Sequence, residues 1–337
     1  MLNLQFELRY ISKARNFIYG ITILWIVFFH CGLSVNNIVF QTIKAYGDCG
    51  VEIFFLMSGI CLYFSYQHYT NVLSFYKRRC MKVLPYYLFF YGIVFGYFNL
   101  IQTLDIKQFL LNYTMLDFWI HGLGNVPWFL ASILVFYWMY PLIYRVFFSK
   151  YQYKTYGLLA ALIGIGMICY MGYVYFPHLH IFIFRIPIFL IGCFFGKKVY
   201  ENQSLRLMHM LILIAISIVT YVLFKQFSSL AFLRNLFYIP LSIMIVLALS
   251  FIYRLNQRYL KLLNIPIVFL GGYTLEIYLT HEKVQENLWR ILSRLGFEVT
   301  FNHTIYQLSC IGISIALSII ISRLLKRVQN RFQYGVL

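Results

Sequence analysis

Charged residues are scarce in this chain of 337 residues, where Asp, Glu, Lys and Arg together make up 11%. A soluble domain carries about 25% charged residues. Acidic residues are the scarcest, with 10 Asp and Glu against 28 Lys and Arg. Because 61% of the chain is hydrophobic and 20% is aromatic, no soluble fold would bury its apolar surface. The composition therefore excludes a soluble protein and predicts an integral membrane protein.

Paired cysteines are also missing. The chain has seven cysteines, none of them in a CxxC spacing and most of them inside apolar runs. Such cysteines are usually small buried hydrophobic residues. No metal site and no permanently bound cofactor are therefore predicted. The first apolar run also lacks a cleavage site of small residues, so it is expected to remain as a helix rather than to serve as a signal peptide.

Long apolar runs are abundant, and each is long enough to cross about 30 Å of hydrocarbon as a helix. There are ten of them, at residues 16–35, 47–67, 84–103, 127–148, 155–176, 180–196, 207–225, 235–254, 264–281 and 303–325. With no internal repeat and no linker, residues 1–337 are predicted to form one domain. The predicted fold is all-α, a polytopic bundle of about ten transmembrane helices. Residues 282–302 are expected to form a separate interfacial helix.

The positive charges support this layout because they collect on one side of the predicted membrane. Of the 28 Lys and Arg residues, 20 fall in alternate loops or at the termini on one side, and seven fall on the other. The positive-inside rule places both termini in the cytoplasm. The net charge of +18 is then a topology signal, and no nucleic-acid partner is predicted.

Four ionisable residues stand out within the predicted spans, where such groups are costly and usually line a cavity. At about 1.5 Å of rise per residue, all four are expected roughly 7 to 8 Å below the outer surface. They are His30, Glu52, Arg185 and Glu276, with His281 at the rim. A histidine beside a carboxylate is the arrangement that general-base catalysis requires. A histidine that only packs, and a structural ion pair between Arg185 and a glutamate, are the alternatives.

A basic cluster lies at the predicted cytoplasmic end of the third span, within Phe75–Pro85. Its members are Lys77, Arg78, Arg79 and Lys82. Four positive charges this close together either anchor the topology or bind the phosphates of a cytosolic cofactor. On charge alone, the anchor is the favoured interpretation.

Several short motifs occur in an order that resembles the acyltransferase 3 family of membrane-bound acyltransferases. They lie at residues 24–30, 50–59, 75–85, 127–130, 185–192 and 273–281. The resemblance covers nearly the whole chain. Two positions differ from the family pattern: Tyr19 stands where an arginine is common, and Glu52 stands where aspartate is usual.

The resemblance implies transfer of an acyl group, expected to be acetyl, from cytosolic acyl-CoA to a sugar hydroxyl. The acceptor would be a cell-surface polysaccharide or its lipid-linked precursor, and the location a bacterial plasma membrane. Membrane lipid and polysaccharide-assembly proteins would be the partners. A transporter or flippase of lipid-linked glycans is the alternative function, and a purely structural membrane protein is a third.

The resemblance also assigns roles to the residues already singled out. His30 would take the proton of the attacking hydroxyl or carry the acyl group itself, and Glu52 would orient His30. Arg185 would stabilise charge on the carbonyl oxygen or only neutralise a glutamate. The basic cluster would hold the phosphates of acetyl-CoA, which acts as the donor substrate. The expected substrate-binding residues are Trp128, Glu276 and His281.

Overall fold

The computed structural model describes residues 5–68, 71–95, 105–124, 126–148, 174–259, 261–297 and 303–333, and these are almost entirely helical. The predicted span 155–176 lies outside the described residues apart from its last three positions, as does the end of the span 84–103. The all-α prediction is confirmed for the described chain except for one small ribbon. In it, strand β1 (Gln5–Glu7) pairs antiparallel with strand β2 (Ser204–Arg206).

The helices are numbered here in chain order. They are α1 (Arg9–Lys13), α2 (Arg15–His30), α3 (Ile38–Ala45), α4 (Cys49–Gln67), α5 (Val72–Tyr87), α6 (Ile106–Tyr113), α7 (Leu116–His121), α8 (Trp128–Phe148), α9 (His180–Ile183), α10 (Ile186–Tyr200), α11 (Leu207–Gln226), α12 (Ala231–Tyr259), α13 (Lys261–Leu270), α14 (Thr274–Arg294) and α15 (Thr304–Gln333). A π-helix over Leu88–Phe95 continues α5, and Pro177–Leu179 form a 3₁₀ turn before α9.

Six helical segments within the described residues are long and apolar enough to cross a membrane. They are Cys49–Gln67, Trp128–Phe148, Pro177–Tyr200, Leu207–Gln226, Phe232–Gln257 and Thr304–Arg327. Helix α2 is also apolar but shorter. The chain is therefore a multi-pass membrane protein, whereas ten spans and cytoplasmic termini remain predictions.

The predicted ninth span, 264–281, is not one continuous helix. Helix α13 ends at Leu270, two glycines follow, and α14 begins at Thr274 and continues to Arg294. A side chain at Gly271 would meet the backbone of α2, because a Cβ there would lie 1.8 Å from the carbonyl oxygen of Asn16. Hydropathy does not detect such a break, since the residues on both sides of it are apolar. The expected separate helix within 282–302 is instead the second half of α14.

Helices α4 and α10 are parallel and pack closely against each other. This contact sets the position of two predicted site residues. A Cβ at Gly59 would lie 2.5 Å from the carbonyl oxygen of Phe189, and one at Gly192 would lie 2.3 Å from that of Leu56. Small residues let helix backbones approach this closely in membrane proteins. The register places Glu52, near the start of α4, beside Arg185, which caps the start of α10.

Candidate active site

His30, the last residue of α2, forms a partly exposed polar contact with an acidic residue of α14. Its Nδ1 lies 2.6 Å from Oε1 of Glu282 on α14. The two side chains are 35% and 48% exposed, so a substrate has access to them. An ionised carboxylate only accepts hydrogen bonds, so Nδ1 is the donor, and in the neutral imidazole the lone pair lies on Nε2. This is the tautomer that a general base requires.

Glu282 lies beyond the predicted span 264–281 and outside the helical segments that are apolar enough to cross a membrane. Partial burial raises the pKa of its carboxyl group, but the hydrogen bond from His30, and the charge of that ring when it is protonated, have the larger effect and lower the pKa to about 2. The Glu282 carboxylate is therefore ionised at neutral pH, where it holds the His30 ring in one orientation.

His281 lies directly beside His30 and is only 2% exposed. The two rings meet edge to face, with centroids 5.2 Å apart. The Nδ1 atom of His281 lies 3.1 Å from the carbonyl oxygen of Ile277 and 2.9 Å from that of Tyr278, so it donates to the backbone. Its Nε2 atom makes no hydrogen bond with any described residue. The predicted rim residue is thus part of the histidine cluster.

Glu52 pairs with Arg185 rather than with His30. The Nε atom of Arg185 lies 3.1 Å from Oε1 of Glu52, and the side chains are 6% and 1% exposed. Arg185 also donates from Nη1 to Oδ1 of Asn235 over 2.6 Å, and its guanidinium lies 5.5 Å from the ring centroid of Trp128. The structure therefore favours the predicted alternative of a structural ion pair, and Glu282 occupies the position expected of Glu52.

The buried ion pair lies deeper in the bundle than the histidines. Gly47 lies against Phe29 of α2, and Gly50 lies against Ile26, so the start of α4 runs antiparallel to α2. Glu52 is five residues beyond Gly47, which places it about 7 Å further from the His30 end of α2. His30 and Glu52 were predicted at one depth, and the packing separates them by about one helical turn.

Glu276 does not share the layer of His30 either. Its carboxylate lies within electrostatic range of Lys326 and Lys82, and Lys326 lies 5.2 Å from the ring centroid of Tyr273. Since Glu276 precedes His281 by five residues on one helix, it lies about 7.5 Å from His281 toward the basic cluster. The prediction of one shared layer assumed a helix that ends at 281, whereas α14 continues to Arg294.

The basic cluster lies on helix α5 rather than in a loop. Arg79 is held in place, with its guanidinium 5.6 Å from the ring centroid of Phe75 and 5.5 Å from that of Tyr137. Lys77, Arg78 and Lys82 are exposed. Arg78 and Lys82 are four residues apart and so share one face of the helix. That face therefore carries two positive charges.

Two residues of the site, Glu282 and Asn235, were not predicted from sequence. Asn235 lies within the apolar stretch that became α12, where a single amide carries no periodic signal. Glu282 directly follows His281, and it was missed because the predicted span ended one residue earlier. The sequence feature that would have indicated Glu282 is its position directly after a histidine at the end of a predicted span.

Comparison with known protein families assigns the chain. The family model described as "Acyltransferase domain" matches residues 16–323. The chain belongs to the acyltransferase 3 family. The match begins in α2 and ends in α15, so it includes both histidines, Glu282, the buried ion pair and the basic cluster of this acyltransferase. Comparisons with curated proteins and with solved structures found no match.

Proposed function

We propose that this acyltransferase transfers an acetyl group from cytosolic acetyl-CoA to a sugar hydroxyl of a surface polysaccharide or of its lipid-linked precursor. The observation that carries the proposal is the 2.6 Å contact between His30 and Glu282. It supplies a half-exposed imidazole with a free Nε2 lone pair, held by an ionised carboxylate. Proton removal from a hydroxyl requires this combination.

His30 would act on the acceptor first. As the hydroxyl oxygen attacks the thioester carbon, its proton passes to Nε2 of His30, and Glu282 stabilises the imidazolium that forms. The tetrahedral intermediate then collapses with cleavage of the carbon–sulfur bond. The CoA sulfur leaves and takes the proton from Nε2, which restores neutral His30. The products are an O-acetyl ester and CoA thiol.

His281 would bind the acceptor beside this base. Its Nε2 atom is buried and carries a lone pair next to the His30 ring. A second hydroxyl of the sugar would donate a hydrogen bond to it and so fix the position of the attacking oxygen. Trp128 is less suited to contact the sugar, since its ring already covers the Arg185 guanidinium.

The basic cluster would bind the phosphates of the donor. Arg78 and Lys82 present two positive charges on one face of α5, and Arg79 is ordered by two aromatic rings. Glu276 lies between this cluster and His281 along α14. The CoA arm would then extend from the cytoplasmic end toward His30, as the positive-inside rule orients the chain. The bilayer core is about 30 Å thick, and His30 is expected roughly 7 to 8 Å below its outer surface. An extended phosphopantetheine arm is on the order of 20 Å long, so it would cover most of the distance from the cytoplasmic face to His30.

The Arg185–Glu52 pair would support the site rather than take part in the reaction. Arg185 already contacts Glu52, Asn235 and Trp128, and it is buried. Stabilising the carbonyl oxygen would require it to leave these partners. We therefore assign the pair to holding α4, α10 and α12 together beneath the histidines.

Membrane vesicles from cells that express the protein test this function, because they contain the natural acceptor. Inverted vesicles expose the cytoplasmic face, and [¹⁴C]acetyl-CoA added to them should label the glycan or lipid-linked glycan fraction. The label should be released by mild alkali, as an ester is and an amide is not. Right-side-out vesicles should incorporate no label from external donor. Alkali-stable label, or equal labelling in both orientations, would contradict the proposal.

A further inference from the structure

The histidine cluster has a second property, which follows from the chemistry of its donor atoms. His30, His281 and Glu282 each offer one ligating atom, and these atoms all lie within 4.8 Å of one another. Two imidazoles and one carboxylate form a donor set that zinc commonly uses, with a water as the fourth ligand. We propose that these three residues bind a divalent ion of the zinc class, and that the bound ion inhibits the enzyme.

The strongest support comes from His281. This residue is 2% exposed, and its Nδ1 proton is committed to the backbone carbonyls of Ile277 and Tyr278. A metal-bound histidine is usually fixed in this way, because a hydrogen bond at one nitrogen orients the lone pair of the other. The Nε2 lone pair is buried without a hydrogen-bond partner among the described residues. A ligand at this atom would satisfy it.

The geometry needs only small side-chain rotations. Zinc binds nitrogen and oxygen at about 2.0 to 2.2 Å, so two ligands of a tetrahedral site lie about 3.3 Å apart. The observed separations fall on both sides of that value, from 2.6 Å between His30 and Glu282 to an upper limit of 4.8 Å within the cluster. The ion would replace the proton that His30 and Glu282 share. Both side chains are partly exposed and free to adjust.

The local charge also admits a cation. Glu282 contributes one negative charge to the cluster. Lys283, the nearest positive side chain along α14, lies 3.1 Å from Glu286, so its charge is neutralised within the helix. Imidazole nitrogens favour zinc and similar transition metals over magnesium or calcium, which prefer oxygen ligands. The site should therefore discriminate between these two groups of ions.

Inhibition is the part of this inference that rests on the proposed function. If His30 is the general base, a zinc ion on Nδ1 leaves the ring proton on Nε2, so the lone pair of the base is lost, and the ion also occupies Glu282. Acyl transfer should then stop when zinc is bound and recover when a chelator removes it. The binding itself does not depend on catalysis, so the two statements are tested separately.

The binding experiment uses the full-length protein in detergent, stripped of metal and titrated with ZnCl₂ against a chromophoric chelator. One zinc should bind per wild-type chain, and MgCl₂ should not compete. Glu282→Gln and His281→Asn should each weaken binding by at least about 10-fold to 100-fold, the usual loss when only a residue that supports a ligand is changed. Asparagine at 281 retains a side-chain NH near the position of Nδ1, so it preserves the backbone hydrogen bond while it removes the Nε2 ligand. A thermal melt checks that each variant is folded.

The matched control is a second histidine–carboxylate pair among the described residues. On α7, His121 Nδ1 lies 2.7 Å from Oδ1 of Asp117, and the histidine is 61% exposed. His121→Ala should leave zinc affinity unchanged. If folded His281→Asn binds zinc like the wild type, or if His121→Ala loses the site, the inference is overturned. If zinc binds as expected but acyl transfer persists at saturating zinc, the site stands and the role of His30 as the base fails.

Discussion

His30 and Glu282 lie near opposite ends of the sequence, yet the Nδ1 and Oε1 atoms of the two side chains are 2.6 Å apart. The contact forms because α14 places the carboxylate beside the C-terminal residue of α2. It gives the histidine an orienting group that Glu52, engaged with Arg185, does not provide.

Replacing Glu282 should slow the reaction without weakening substrate binding. Glu282→Gln should lower kcat by about 100-fold or more, because the neutral amide no longer stabilises the imidazolium. The KM for acetyl-CoA should change little, since the donor phosphates bind elsewhere. Glu282→Asp should recover part of the lost rate. The measurement is CoA thiol release under saturating and limiting donor.

Glu286 provides the control for that experiment, since it is an acid one turn further along the same helix and pairs with Lys283. Glu286→Gln should behave like the wild type. Equal loss of kcat in both variants would show that a general change of charge on α14 is responsible, and Glu282 would lose its assigned role.

The all-α fold and most of the helix positions were predictable from sequence. A segment that crosses a bilayer must be apolar over its whole length and helical, so apolar runs mark the helices directly. The fourth and seventh predicted spans, 127–148 and 207–225, agree with α8 and α11 to within one residue. Depth along a helix was less predictable, because it depends on where the helix begins and ends. The expected layer of Glu276 rested on a helix end at 281, and α14 continues to Arg294.

The partners of the ionisable residues were harder to predict than their presence. His30, Glu52, Arg185 and His281 are all visible as polar exceptions in apolar runs. Which carboxylate meets which cation depends on the close approach of α4 and α10, which is set by small residues such as Gly59 and Gly192. This packing joins residues far apart in the chain, so no local pattern in a single sequence predicts it.

The buried ion pair should matter for stability more than for chemistry. Glu52→Gln should destabilise the folded protein by about 3 to 5 kcal/mol, because it leaves the Arg185 charge buried without a counter-charge. The double variant Glu52→Leu with Arg185→Met should recover much of that stability. Melting temperatures of the purified protein in one detergent measure both effects. A double variant less stable than Glu52→Gln would contradict a purely structural role.

The donor site predicts a change in KM. Removing Arg78 and Lys82 together should raise the KM for acetyl-CoA by at least about tenfold, because each charge-assisted contact to phosphate contributes about 1.5 to 3 kcal/mol. The kcat at saturating donor should change little. Lys197→Ala with Lys198→Ala removes two positive charges from the last turn of α10, on the predicted cytoplasmic side, and should leave KM unchanged. An equal rise in KM for both double variants would favour general charge over a defined phosphate site.

The break between α13 and α14 predicts a sharp difference between two glycines. Gly271→Ala should lower the melting temperature strongly, because its Cβ would lie 1.8 Å from the Asn16 carbonyl oxygen and force the two backbones apart. Gly312→Ala should be neutral or slightly stabilising, since no atom lies within 4 Å of a Cβ there and alanine favours helix. Equal melting temperatures for the two variants would show that the close approach is absent.

The central claim is that His30 is the base for acyl transfer from acetyl-CoA. The direct test compares His30→Ala with His121→Ala, since both remove a histidine that contacts a carboxylate. Each variant is expressed to the wild-type level, inverted vesicles are prepared, and alkali-labile label from [¹⁴C]acetyl-CoA is counted. His30→Ala should reduce the label to background, and His121→Ala should retain the wild-type amount. Substantial label with His30→Ala at normal expression would contradict the account.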